Sequence, residues 1–138
     1  MGPLTRRLYL DSAPVVYAVE RIIPYADIVD SVLADPDVTR VTSDLTRMEC
    51  RVRPMREDRL DVLQDFDDFF AEVVHEIVSL SSEVIDHAAR IRARYGYTMP
   101  DAIHLAAAVI SECDAILTRD HRMAGYPGIT IDVIGRGQ

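Results

Sequence analysis

Hydrophobic and polar positions along the chain follow two rhythms that take turns. Short apolar runs rich in Val, Ile, Leu and Tyr occupy 7–11, 38–42, 73–78, 114–118 and 129–134, each bounded by turn or capping residues, and these predict five β-strands. Between them, apolar residues recur three and four positions apart, the spacing of one helix face. Ser12 and Pro14 open the first helix, which runs to about Glu20. Pro24 opens a second, with Ile28, Val29, Val32 and Leu33 on one face and Asp35-Pro36-Asp37 as its stop. Ser43 or Asp44 caps a third, in which Leu45, Met48, Glu49 and Val52 share a stripe.

A fourth helix begins near Glu57 and carries Leu60, Leu63, Phe66, Phe69 and Phe70, with Asp65, Asp67 and Asp68 on a solvated face. Ser81 or Ser82 caps a fifth, which ends at Tyr95 before Gly96. Arg90, Arg92 and Arg94 crowd its last turns, where the helix dipole favours cations, and that accounts for them without a phosphate-binding role. Thr98-Met99-Pro100-Asp101 starts the sixth helix. Thr98 caps, Pro100 suits the first turn, and the residues after Asp101 stay almost wholly apolar to Ile110. His104, one turn beyond Asp101, is within reach to orient that acid, but reads first as a satisfied helix histidine. A short polar tail follows the last strand.

Strands alternating with helices imply βαβ units and a mostly parallel sheet between two helical layers, a three-layer α/β/α sandwich. The length of 138 residues fits one domain over 1–138, and 49% apolar content is enough for a core. No apolar stretch approaches the roughly 20 residues of a membrane span, so a cytoplasmic, membrane-free protein is expected. Cys50 and Cys113 lack metal-site spacing and sit in apolar contexts, which disfavours a disulfide or zinc. A net charge of −8 argues against whole-molecule attraction to a nucleic-acid backbone but not against a local site. Every one of the 15 basic residues is Arg. The missing lysine removes Schiff-base chemistry, a Walker A site and a phosphoacceptor-aspartate site that needs a lysine partner, and Ser12-Ala13 after Asp11 leaves no Asp-x-Asp pair.

Four acids then stand out by position. Asp11 and Asp120 follow predicted strands, Glu49 lies early in the helix after the second strand, and Asp101 opens a helix on the same side. In an open parallel sheet those ends share one edge, where ligands bind at the reversal of strand order. Two carboxylates about 4 Å apart repel by roughly 4 kcal/mol at an effective dielectric near ~20, so their convergence requires positive charge. For Glu49, pairing with Arg51 or Arg53 is the purely structural alternative. The hard oxygen donors point to Mg²⁺ or Mn²⁺, which can activate water and neutralise a phosphodiester.

The blocks Leu8-Tyr9-Leu10-Asp11-Ser12, Ser43-Asp44-Leu45-Thr46-Arg47-Met48-Glu49, Pro100-Asp101-Ala102-Ile103-His104-Leu105-Ala106 and Leu117-Thr118-Arg119-Asp120 resemble, in order and spacing, those of the PIN domain, in particular VapC-type toxins of bacterial toxin–antitoxin pairs. The resemblance implies a PIN-like fold and a metal-dependent endoribonuclease with catalytic, metal-holding acids at Asp11, Glu49, Asp101 and Asp120. It also implies an RNA substrate, a homodimer and a cognate antitoxin whose tail occupies the acidic groove. Within it, Ser12 and Thr118 orient carboxylates through their hydroxyls. Arg47, Arg119 and Arg122 are the basic residues nearest the acids in sequence and the candidates for RNA-backbone contacts. The last block often reads Thr-Asn-Asp in that family. Here Arg119 replaces the Asn, which leaves open whether it contacts RNA, pairs with an acid or points away. A PIN nuclease of RNA processing, and a PIN-fold protein that binds without cutting, are the alternatives to a toxin.

Overall fold

The computed structural model describes residues 5–135, so the expected polar tail lies outside the described residues. Five strands, β1 (Arg6–Leu10), β2 (Val38–Ser43), β3 (Glu76–Val78), β4 (Ala115–Thr118) and β5 (Thr130–Val133), form one sheet in the order β3-β2-β1-β4-β5. Every neighbouring pair is parallel. From β1 the chain builds outward through β2 to β3, then crosses back to β4 and β5 on the other side. The strand order therefore reverses between β1 and β4, and the C-terminal ends of those two strands flank the crevice that results.

Among the described residues six α-helices cover the sheet: α1 (Ser12–Glu20), α2 (Tyr25–Leu33), α3 (Asp44–Arg56), α4 (Leu60–Glu72), α5 (Ser82–Tyr95) and α6 (Met99–Ile110). Alternation along the strands splits the interior in two. Leu8, Leu10, Ala115 and Leu117 face one layer and pack with Val15, Val29, Phe66, Phe69 and Phe70. Tyr9, Val41 and Ile116 face the other and meet Val84, Ala88, Ile91 and Leu105. Each large side chain buried in this way stabilises the fold by about 1.5–3 kcal/mol of transfer free energy. Helix α6 is buried along most of its length, and Ala102 and Ala106–Ala108 leave so little side chain that it lies close against the sheet. Its first turn is thereby delivered to the sheet's C-terminal edge. Among the described residues no helix is long and apolar enough to cross a membrane.

Three local expectations are corrected. The run at 73–78 yields only a three-residue strand, because Val73 and Val74 continue from the end of α4 and pack beneath that helical layer before the chain reaches the sheet edge. Helix α1 is capped by Asp11, whose Oδ1 accepts the Ser12 amide at 2.8 Å, and the Ser12 hydroxyl is left for another partner. In α3 the buried residues are Leu45, Thr46, Cys50 and Pro54, whereas Met48 and Val52 are 56% and 43% exposed. The buried stripe is rotated from the one apolar spacing selects, because the Ser43–Thr46 capping box turns Thr46 inward, where it reaches Tyr9 and the Leu10 carbonyl.

Candidate active site

The crevice between β1 and β4 collects the acids. Asp11 stands immediately beyond β1, and its amide extends the ladder by bonding the Leu117 carbonyl at 3.0 Å. From the adjacent strand, the Thr118 hydroxyl donates to Asp11 Oδ2 at 2.7 Å, and Thr118 Oγ1 in turn accepts the Asp120 amide at 3.0 Å. One hydroxyl thus fixes two acidic positions. Glu49, one turn and a half into α3, receives the Ser12 hydroxyl on Oε1 at 2.6 Å. Asp101 is buried in the first turn of α6, where the Thr98 hydroxyl caps its amide at 3.4 Å.

Two bases are built in among them. His104 is 1% exposed and projects from α6 with Nε2 at 2.6 Å from Glu49 Oε1 and 3.3 Å from Asp11 Oδ1. Both of those oxygens belong to carboxylates, which accept and do not donate, so Nε2 carries a proton. On the other side Nδ1 lies 2.7 Å from the Tyr9 hydroxyl, whose own hydrogen goes to Ser43 Oγ at 2.7 Å. Nδ1 is therefore a donor as well, and the ring is an imidazolium. Burial opposes that charge, but the Glu49 hydrogen bond and the charges of Asp11, Glu49 and Asp101 outweigh it and raise the ring above the ordinary histidine range. Conversely, burial pushes the Glu49 carboxyl up, yet the bonds from His104 and Ser12 prevail and hold it below its usual value.

Arg122 is the second base. Its Nε and NH2 grip Asp120 at 3.1 and 3.0 Å, its amide bonds the same carboxylate at 2.9 Å, and NH2 lies 3.8 Å from Asp101 Oδ2. That fork lowers the Asp120 carboxyl. Asp101 moves the other way, raised by burial and by Asp120 and Asp11 against the opposing pulls of Thr98 and Arg122. Among the described residues one guanidinium and one imidazolium face four carboxylates, which leaves two negative charges in excess within the crevice. The carboxylate oxygens fit a hard divalent cation: those of Asp11 and Glu49 lie within 4.8 Å of one another and of the His104 ring, whose protonated nitrogens serve as a counter-charge and not as ligands, with Asp101 and Asp120 beside them.

A family model describing the PIN domain matches residues 8–129. The chain belongs to the PIN domain family. No curated protein is significantly similar to it in sequence. Among solved structures, this PIN domain is similar to VapBC2 from Rickettsia felis bound to a promoter DNA fragment (TM-score 0.73, 14% identity, 92% of this chain and 98% of that one). A toxin–antitoxin complex from Klebsiella pneumoniae matches with TM-score 0.73 at 20% identity, over 89% of this chain and 95% of that one. VapC20 from Mycobacterium tuberculosis, a toxin that cleaves the sarcin–ricin loop, matches with TM-score 0.72 at 13% identity, over 89% and 98%. The fold is thus that of VapC proteins.

In this PIN domain the other residues singled out by sequence are distributed unevenly. Arg119 is turned to a separate partner set: its guanidinium lies 5.0 Å from the centre of the Tyr25 ring, donates to the Tyr25 hydroxyl at 3.2 Å and to the Ile134 carbonyl at 3.1 Å, and contacts His121. Arg47 remains on α3, 3.5 Å from Asp44 and 42% exposed. The charged alternative for Glu49 is not taken up, since Arg51 pairs with Asp67 and Arg53 with Glu57. The sequence reads His104 first as a satisfied helix histidine, with Asp101 as the acid within its reach. Its actual partners come from β1 and α3, and the available signal was a lone imidazole in a run otherwise free of polar side chains.

Proposed function

We propose that this PIN domain is a Mg²⁺- or Mn²⁺-dependent endoribonuclease of VapC type, held in check by a cognate antitoxin. The observation that carries the proposal is the convergence of four carboxylates at the strand-order reversal, with two bases among the described residues to balance them. Asp11, Glu49, Asp101 and Asp120 hold the cation; when bound, it supplies water activation and neutralisation of phosphodiester charge. Ser12 and Thr118 orient Glu49 and Asp11 through their hydroxyl donors. Arg122, 72% exposed beside Asp120, would contribute a guanidinium to a phosphate of the RNA. Cleavage then needs no side-chain nucleophile.

The partners follow from the same acidity. The similar structures include toxin–antitoxin complexes, and an inhibitory segment with basic residues would complement a chain of net charge −8. A homodimer is the assembly expected of this family. One observation favours a binding-only PIN protein instead: Arg122 already chelates Asp120, as a permanent substitute for metal would.

Purified, antitoxin-free protein is to be incubated with a mixed RNA pool in Mg²⁺, Mn²⁺ or EDTA, with Asp101→Asn as the control. Metal-dependent cleavage that disappears in the variant is expected. Absence of both cleavage and any metal-induced rise in melting temperature would sink the nuclease reading and leave the binding-only one.

A further inference from the structure

The C-terminal half of α5 presents a second polar feature, on the side opposite an apolar groove lined by Ile85, Ala89 and Met99. A cleft of about 200 Å³ is bounded by His87, Arg90, Ile91, Arg94, Tyr95 and Tyr126. The helix dipole explains why arginines gather there but does not explain their company. His87 Nε2 is buried without a hydrogen-bond partner among the described residues, although such atoms are nearly always satisfied. Neither Arg90 nor Arg94 joins an ion pair among the described residues, in a chain where acids outnumber bases 23 to 15. Arg94 lies 5.5 Å from the centre of the Tyr95 ring, which is 40% exposed.

The tyrosines form a continuous path. Tyr95 meets Tyr126 edge to face at 5.4 Å, and Tyr97 touches both at 6.3 and 6.2 Å. Tyr126 is fixed in place by Gly128, since a Cβ there would sit 2.5 Å from its hydroxyl. At the inner end the Tyr97 hydroxyl lies against Gly125, 3.8 Å from where a Cβ would stand, at the end of the turn His121–Gly125 that carries Arg122 to the acidic crevice; burial and the charges of Asp101, Tyr95 and Asp120 raise its phenol. At the outer end stands the cleft.

We propose that the His87–Arg90–Arg94–Tyr95 cleft is a nucleotide subsite, in which a base of single-stranded RNA stacks on Tyr95 and Arg90 and Arg94 hold its phosphate, with His87 in the cleft wall as the reporter of occupancy. An exposed aromatic face and two guanidiniums without an acidic partner among the described residues are what a nucleotide's base and phosphate require. Its place beyond Tyr97 makes it a position flanking the scissile bond, so the proposal rests on the ribonuclease reading for its role and on local chemistry for its ligand.

The test uses the full chain with ¹³C-labelled histidine in EDTA, where metal-dependent chemistry is silent. The four histidine ring signals are assigned by single substitutions. Titration with the four 5′-ribonucleotide monophosphates, and with inorganic phosphate as reference, is expected to shift the His87 signal saturably for at least one nucleotide and by less for phosphate. The shift is lost in Tyr95→Leu and in the double variant Arg90→Gln/Arg94→Gln, all at exposed positions. A His87 signal that stays still, or that moves equally with phosphate, overturns the subsite. In RNA cleavage, Tyr95→Leu is expected to raise KM about tenfold with a smaller change in kcat, the size of one lost stacking contact; an unchanged KM overturns its role in substrate binding. If the wild type neither cuts RNA nor gains melting temperature with metal, the nuclease reading fails while the titration still decides the cleft.

Discussion

His104 joins the interior of the protein to its acids. Ser43, Tyr9, His104 and Glu49 form a chain of hydrogen bonds of 2.6–2.7 Å from the α3 cap to the crevice, and removing the imidazole leaves Glu49 and the Tyr9 hydroxyl short of a partner. His104→Leu is expected to lower stability by about 1–3 kcal/mol, as orphaned buried polar groups do, measured by urea unfolding. The pair also sets a pH window. Because the folded ring titrates above its unfolded value near ~6.5, its contribution is complete below that value and fades as pH rises through the raised one. Because Glu49 is depressed, its contribution is complete above about 4.3 and fades as pH falls through the lowered value. Wild type should therefore exceed His104→Gln most in melting temperature between those limits, and a difference independent of pH would contradict the imidazolium. Arg122 gives a second residue-scale expectation. Its fork on Asp120 competes with any cation for the same oxygens, so Arg122→Ala should bind Mn²⁺ several-fold more tightly by calorimetry at low ionic strength, where the lost charge is least screened.

Helix ends, more than helix bodies, build the crevice. Asp11 caps α1, Ser43 caps α3 and Thr98 caps α6, so three of the four acids lie in or near first turns whose orientation depends on a cap. Thr98→Ala should cost about 1 kcal/mol, the usual worth of such a cap. It should also weaken divalent binding, because the Thr98 hydroxyl holds the Asp101 amide at 3.4 Å. Thermal unfolding and metal titration of the same variant separate the two effects. A comparable loss from Gly96→Ala, where φ is +73°, should leave metal binding less affected, since Gly96 ends α5 and touches no acid.

At the scale of the whole molecule, the sheet's reversal concentrates negative charge that the surface bases do not cancel. A cation binding only the folded form stabilises it by mass action. Mg²⁺ or Mn²⁺ should raise the melting temperature, EDTA should reverse the rise, and Na⁺ at matched ionic strength should not reproduce it. Asp101→Asn should lose most of the increment. Equal responses to Na⁺ and Mg²⁺ would indicate general screening in place of a metal site.

Local chemistry determined much of this in advance. Strand and helix order, the Thr98 cap, the end of α5 at Gly96 and the location of Asp11, Asp101 and Asp120 at element ends all follow from apolar spacing and capping residues, which act over a few neighbours. The parallel sandwich follows from the alternation of those elements. Partnership was decided elsewhere. His104 and Glu49 are 55 residues apart, Thr118 and Asp11 107, and no periodicity encodes which strand lies beside β1. The stripe containing Glu49 was misjudged by spacing because the Ser43–Thr46 box and the Tyr9 hydroxyl turned α3. Arg119 and Arg122, three positions apart, are separated in the same way: one is drawn to Tyr25 and the Ile134 carbonyl, the other to Asp120. Only the packed sheet and its helices bring distant groups within hydrogen-bond reach, and which carboxylate keeps a counter-ion and which retains its excess charge depends on that packing.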